Sequence, residues 1–293
     1  MAKAGKTGKN QAENADNMKE SNSKPRKAKT IGIISIKGGV GKTTTVSNLG
    51  AILANDFGKK VLVVDANFTA PNLGLHLGIV DPAKSLHDVL GERVPIEKAI
   101  ISHEYGFDVL PAALVPKQRI NPYKLINRLN EIKKNYDIIL IDSSPTLNEE
   151  IVSTIVASDE LLVVTSPDYP TLSCTMRAIQ AVKRKNREVI GLVLNKVRGK
   201  NFELSIEEIE KNAETPVLAV LKDDVRILEA LSLTKPAAIH SPKSDTIIEY
   251  KKLAAALVGE EYKGDIFERM KSFISPKTKQ DLNRQELFES KNS

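Results

Sequence analysis

The stretch Ile36-Lys37-Gly38-Gly39-Val40-Gly41-Lys42-Thr43-Thr44 decides how the rest of this 293-residue chain is read. An apolar run at residues 30–36 leads into it, and helical spacing over residues 43–56 follows it. A glycine-rich turn between strand and helix points backbone N–H groups inward at a helix N-terminus, and such a nest attracts phosphate. Gly38, Gly39 and Gly41 let the backbone approach closely, because a β-carbon would fill the loop. Lys42 is placed to reach β- and γ-phosphates, and the Thr43 hydroxyl to ligate Mg²⁺. The strict G-x-x-x-x-G-K-[ST] pattern fails, since the position six before Lys42 is Ile36. The pattern that fits is x-K-G-G-x-x-K-[ST], with Lys37 as a second lysine inside the loop.

Outward from the loop, apolar runs recur at residues 61–65, 107–110, 138–142, 161–165, 189–195 and 217–221. Their near-continuous apolar character is that of strands covered on both faces. Helical spacing fills the intervals at residues 124–134, 149–158, 173–185, 204–211 and 225–233, and residues 246–258 read as a last packed helix ended by Gly259. This alternation predicts an α/β P-loop NTPase fold, a mostly parallel central sheet with helices on both faces. Residues 30–259 form one domain on this reading.

Two acids complete the phosphate site. Asp65 ends Val61-Leu62-Val63-Val64 and Asp142 ends Ile138-Ile139-Leu140-Ile141, so both emerge at the carboxyl edge of the sheet, where ligands bind such folds. One strand-end Asp alone reads more simply as a cap; two of them behind a phosphate loop do not. Asp142 reads as the Walker B acid that holds the Mg²⁺ shell. A dinucleotide reading, with Asp65 as the ribose acid, fails because G-x-G-x-x-G is not satisfied. The expected metal residues are Thr43, Asp65 and Asp142.

Composition narrows the class. With 41% hydrophobic and 27% charged residues the chain reads as an ordinary globular protein. The single Cys174 fits a reducing compartment and excludes iron–sulfur carriers, which need cysteine pairs. His76, His87, His103 and His240 lack metal-ligand spacing. No apolar run approaches the ~18 residues of a spanning helix, and no secretory leader is recognised, so a cytoplasmic location is expected. Residues 1–29 hold eight Lys or Arg against three acids, nearly all of the net charge of +6. They read as a disordered basic arm, either a solubilising tail or an electrostatic arm for anionic surfaces.

From about residue 30 to 259 the chain resembles the MinD/ParA family of deviant Walker ATPases. The match is most specific at residues 37–44, 61–78 (VLVVDANFTAPNLGLHLG), 136–145 (YDIILIDSSP) and 191–197 (GLVLNKV). The MinD branch is the closer, because the D-P-Q-G usual after the switch I Asp of ParA proteins is absent. The resemblance implies ATP and Mg²⁺ as ligands, with the loop from Lys37 through Val40 to Thr44 as the phosphate cradle. It implies an ATP-sandwich homodimer in which Lys37 reaches the partner's phosphates. Residues 65–72 would be switch I and 143–148 switch II; Asn195 would pair with adenine, and Asp224 would lie near the base. The catalytic set carried over is Lys37, Lys42, Asp65, Asn67 and Asp142. Asn67 departs from the family's usual D-x-D: its amide oxygen accepts a hydrogen bond, yet it carries no charge and takes up no proton. Slow hydrolysis is the expectation. Ser144-Pro145-Thr146 also replaces the usual Pro-Ala-Gly of switch II.

The output of such a switch has two candidate surfaces. Ile266, Phe267, Met270, Phe273 and Ile274, within residues 265–274, share one helical face with basic neighbours, as an anionic membrane would require. That face serves equally as one that folds back on the domain. Lys183, Arg184, Lys185 and Arg187, with the N-terminal arm, would suit nonspecific DNA. The resemblance implies positioning of a cellular structure such as a division site, with an activating partner protein. A ParA-like partition ATPase, a flagellar or chemoreceptor-positioning relative, and a nucleotide-binding scaffold with little hydrolysis share the same motifs.

Overall fold

A computed structural model describes residues 27–116, 119–264 and 276–292. Eight strands form one sheet: β1 (Lys29–Ile34), β2 (Val61–Ala66), β3 (Ile101–Ser102), β4 (Asp108–Leu110), β5 (Ile138–Ser143), β6 (Glu160–Thr165), β7 (Val189–Val197) and β8 (Val217–Lys222). Their spatial order is β3-β4-β2-β5-β1-β6-β7-β8, parallel throughout except for the β3–β4 pair at one edge. β3 is only two residues long, too short to leave an apolar run in the sequence.

Each apolar run serves both faces. In β5, Ile138 and Leu140 join the core under the first helix, α1 (Lys42–Asn55), while Ile139 and Ile141 pack on α3 (Leu86–Leu90) and α4 (Leu125–Ile132). The same first face holds α10 (Asp245–Val258), which Gly259 ends in a left-handed turn at φ 68°. On the opposite face, α5 (Glu149–Ala157), α6 (Tyr169–Lys183) and α7 (Ile206–Ala213) cover β6 and β7. Short helices α2 (Leu73–His76), α8 (Val225–Ser232) and α9 (Ala237–His240) complete the carboxyl edge. α6 begins four residues before the apolar spacing suggests, because the Asp168 side chain caps it by accepting from Thr171 N at 2.9 Å.

Two boundaries move. Lys29, assigned above to the arm, is already the first residue of β1, and its N–H bonds Asp137 O. The chain beyond Gly259, expected as a tail, returns to the domain as α11 (Lys279–Asn292) against β8 and α10. β8 is a sheet edge with free carbonyls, and α11 covers it with polar side chains. Asn283 Nδ2 donates to Val217 O at 2.8 Å, and Arg284 Nη1 donates to Leu218 O and Glu249 Oε1, both at 2.7 Å. Asn283 and Arg284 are the buried residues of this helix, so hydrophobic periodicity has little to report. The arm (residues 1–26) and the segment 265–274 with Ile266, Phe267, Met270, Phe273 and Ile274 lie outside the described residues.

Candidate nucleotide site

The phosphate loop leaves β1 in the middle of the sheet, between β5 and β6, and enters α1. Gly39 and Gly41 take φ of 74° and 102°, which open the loop around its own N–H groups. A β-carbon on Gly41 would sit 2.2 Å from Asn195 Nδ2. That nitrogen donates to Val40 O at 2.8 Å, so the residue expected to meet adenine also buttresses the loop. α1 is fixed behind it by the Thr45–Tyr250 hydroxyl pair at 3.0 Å and by Ala238 N donating to Asn48 Oδ1 at 2.7 Å.

Lys42, Thr43 and Asp142 meet as the motif requires. Thr43 Oγ1 donates to Asp142 Oδ2 at 2.6 Å. Lys42 is buried, and desolvation lowers its pKa against the pull of Asp142. Asp65 and Asp142 are register partners on adjacent strands, both fully buried. Burial raises both carboxyls; Asp142 raises Asp65 further, while Thr43 and Lys42 hold Asp142 back. Two buried like charges at one edge are unfavourable until a cation arrives.

The oxygens present suit Mg²⁺, a hard cation that prefers carboxylate, hydroxyl and water. Asp142 Oδ1 is buried with no protein hydrogen-bond partner, beside the Thr43 hydroxyl. Asp65 is occupied otherwise: it accepts from Asn67 N, Asn72 N and Leu73 N at 3.0 to 3.1 Å. It therefore shapes switch I first, with little lone-pair capacity left for a metal. When bound, Mg²⁺ neutralises charge on β- and γ-phosphate oxygens.

The loop expected to be switch I is pinned at successive residues. Asn67 is buried; its amide nitrogen donates to Ala70 O, and its Oδ1 has no partner. The Phe68 carbonyl accepts from His87 Nε2 at 3.2 Å, since His87 Nδ1 accepts from Ala113 N at 3.0 Å. Burial lowers the His87 pKa and favours this neutral ring. The exposed Thr69 donates its hydroxyl to the buried Glu150 at the start of α5. Thr69 lies in the stretch 61–78 that carries the resemblance, but no motif marks Glu150, 81 residues away, as its partner.

Lys37 is half exposed and turned to its own chain. Its ammonium lies 3.3 Å from Asp168 Oδ1 and donates to Thr171 Oγ1. Burial would raise the Asp168 pKa, but bonds from Ser166, Thr171 and Lys37 outweigh it and hold it at about 2. Asp224 caps α8 and pairs with Arg226 at 2.8 Å. In the basic cluster, Lys183 pairs with Glu214 at 3.2 Å and Arg187 donates to Val156 O at 2.9 Å, while Arg184 and Lys185 are exposed.

A nest of N–H groups, a buried lysine and a hydroxyl–carboxylate pair at the carboxyl edge of a parallel sheet define a P-loop ATPase. A family model described as an AAA domain matches residues 28–190. An uncharacterised ATP-binding protein of Methanocaldococcus jannaschii is 34% identical over 84% of this chain and 93% of its own length. The septum site-determining protein MinD of Bacillus subtilis is 30% identical over 85% and 96%. The solved MinD of Pyrococcus horikoshii, complexed with Mg-ADP, is 32% identical with a TM-score of 0.74, covering 83% of this chain and 98% of that one. The chain belongs to the MinD/ParA family of ATPases. Among the described residues no helix is long and apolar enough to cross a membrane.

Proposed function

We propose that this chain is an ATP-controlled dimerising switch of the MinD type that positions a cellular structure, such as a division site, by associating with a membrane surface in its ATP state. The observation that carries the reading is Lys37. It belongs to the phosphate loop, yet its ammonium is half exposed and held by Asp168. A lysine so placed has a cheap route to the phosphates of a second copy. Lys42 would neutralise phosphate charge on bound ATP, and Thr43 with Asp142 would hold Mg²⁺. The Asn67 amide oxygen orients water without accepting its proton, so hydrolysis is slower than an acid at that position would give, and the ATP dimer persists.

The apolar face of Ile266, Phe267, Met270, Phe273 and Ile274 supplies the lipid contact on this reading. Dimerisation doubles the anchors, which raises avidity without any new contact. Co-sedimentation with anionic liposomes tests it in the full chain, since removal of everything past Gly259 would also strip α11 from β8. Binding in ATP above that in ADP, lost in Phe267→Glu/Phe273→Glu, is the expected result. Equal binding in both nucleotides, or no effect of the double substitution, would sink the membrane role.

A further inference from the structure

Glu150 is a buried acid that the nucleotide site described above does not use. It is 7% exposed, in the first turn of α5. One carboxylate oxygen accepts the Thr69 hydroxyl of switch I; the other, Oε2, is buried with no protein partner. An acid in the first turn of a helix is often explained by the helix dipole. Here the exposed Glu149 already fills that role in the same turn, and it costs no desolvation. A buried carboxylate oxygen left without a donor is costly, so its retention beside this loop asks for a reason.

The reason lies in what switch I lacks. Asn67, the uncharged residue at the second acid position, also buries an unpartnered oxygen, and it belongs to the same short loop as Thr69. That loop is held by the buried Asn67 and Phe68 just before Thr69. Phe68 is fixed by His87, and the Asn67 amide by Ala70 O. Thr69 is left with its side chain at the surface and its hydroxyl donating a hydrogen bond to Glu150. A hydroxyl that donates to a carboxylate keeps its lone pairs for a second donor and becomes a better acceptor.

We propose that Glu150, acting through the Thr69 hydroxyl, supplies the hydrolytic carboxylate that Asn67 cannot. The proposal rests on the reading of the chain as a hydrolysing switch. Water oxygen bonds the terminal phosphorus as the bond from that phosphorus to the bridging oxygen of ADP breaks. One water proton passes to Thr69 Oγ1 while the Thr69 proton passes to Glu150. ATP and water become ADP, phosphate and a proton held by Glu150, which returns to solvent with the products. Glu150 is a positioning residue in this scheme, because it reaches the water only through Thr69.

The test is single-turnover hydrolysis, fluorescent-ATP affinity and thermal midpoint, measured on the full chain with Mg²⁺. Glu150→Gln is expected to lower turnover at least tenfold with ATP affinity unchanged, and Thr69→Val to do the same. Adding Asn67→Asp to Glu150→Gln is expected to restore turnover to within about threefold of the parent, which a merely structural Glu150 would not permit. Turnover of Glu150→Gln within twofold of the parent overturns the inference. So does a loss that Asn67→Asp fails to rescue, or one explained by weaker ATP binding. A parent chain that binds ATP and never hydrolyses it overturns the hydrolysing-switch reading itself, a separate outcome.

Discussion

Lys37 Nζ lies 3.3 Å from Asp168 Oδ1, so the second loop lysine is held by its own chain at the N-terminus of α6. Both side chains are roughly two-fifths exposed, and a pair this wet stabilises by only about 0.2–1 kcal/mol. A phosphate oxygen from a second copy competes easily with it. Asp168→Asn keeps the α6 cap and removes the charge. Two such pairs break per dimer, so its ATP-bound dimer is expected to form at up to about thirtyfold lower concentration in analytical ultracentrifugation. An unchanged dimer constant would mean the pair plays no part in the switch.

Gly41 carries two constraints at once, a φ of 102° and a contact with Asn195. Gly41→Ala is expected to weaken ATP binding by at least about tenfold, since an L side chain strains this backbone by ~1–2 kcal/mol even before the clash. Adding Asn195→Ala removes the clash and leaves the φ, so the melting temperature should recover in part, while affinity stays low because the buttress on Val40 O is lost with it. Thermal melting and titration of fluorescent ATP read the two.

The buried pair Asp65 and Asp142 makes the nucleotide-free protein pH-sensitive. Both carboxyls are raised by burial, so the folded state holds their protons more tightly than the unfolded chain does. That stabilisation is complete below the unfolded value of about 4 and is lost as pH rises through the raised folded values. Urea midpoints of the free protein are expected to fall from pH 5 to pH 8 beyond what distant groups cause. Asp142→Asn should flatten this fall and stabilise the free protein by roughly 1–3 kcal/mol at neutral pH while abolishing Mg²⁺-dependent ATP binding.

α11 is an integral part of the domain. Arg284 is buried against Glu249 and Leu218 O, and removing one member of a buried charge pair costs about 3–5 kcal/mol. Arg284→Ala should lower the melting temperature by on the order of 10 °C. A shift under about 2 °C would mean that α11 is a loose appendage.

The sheet and the phosphate loop were legible because their determinants are local. Val61 to Val64 and Ile138 to Ile141 are apolar on both faces, and the loop needs its glycines and lysines at fixed spacing. Asp65 and Asp142 could be placed together because each ends such a run, and the structure pairs them in register. The partners of Lys37 and Thr69 were not legible. Asp168 and Glu150 lie 131 and 81 residues away and look, in sequence, like ordinary helix-start acids. α11 escaped notice for a related reason: Asn283 and Arg284 hold it by hydrogen bonds, which leave no hydrophobic period.

Whether ATP switches this chain between one copy and two is read from light-scattering mass in Mg·ATP against Mg·ADP. A doubled mass in ATP alone is expected, reverting to the single-chain value in Lys37→Ala although that variant still binds ATP. The same mass in both nucleotides would contradict that switch.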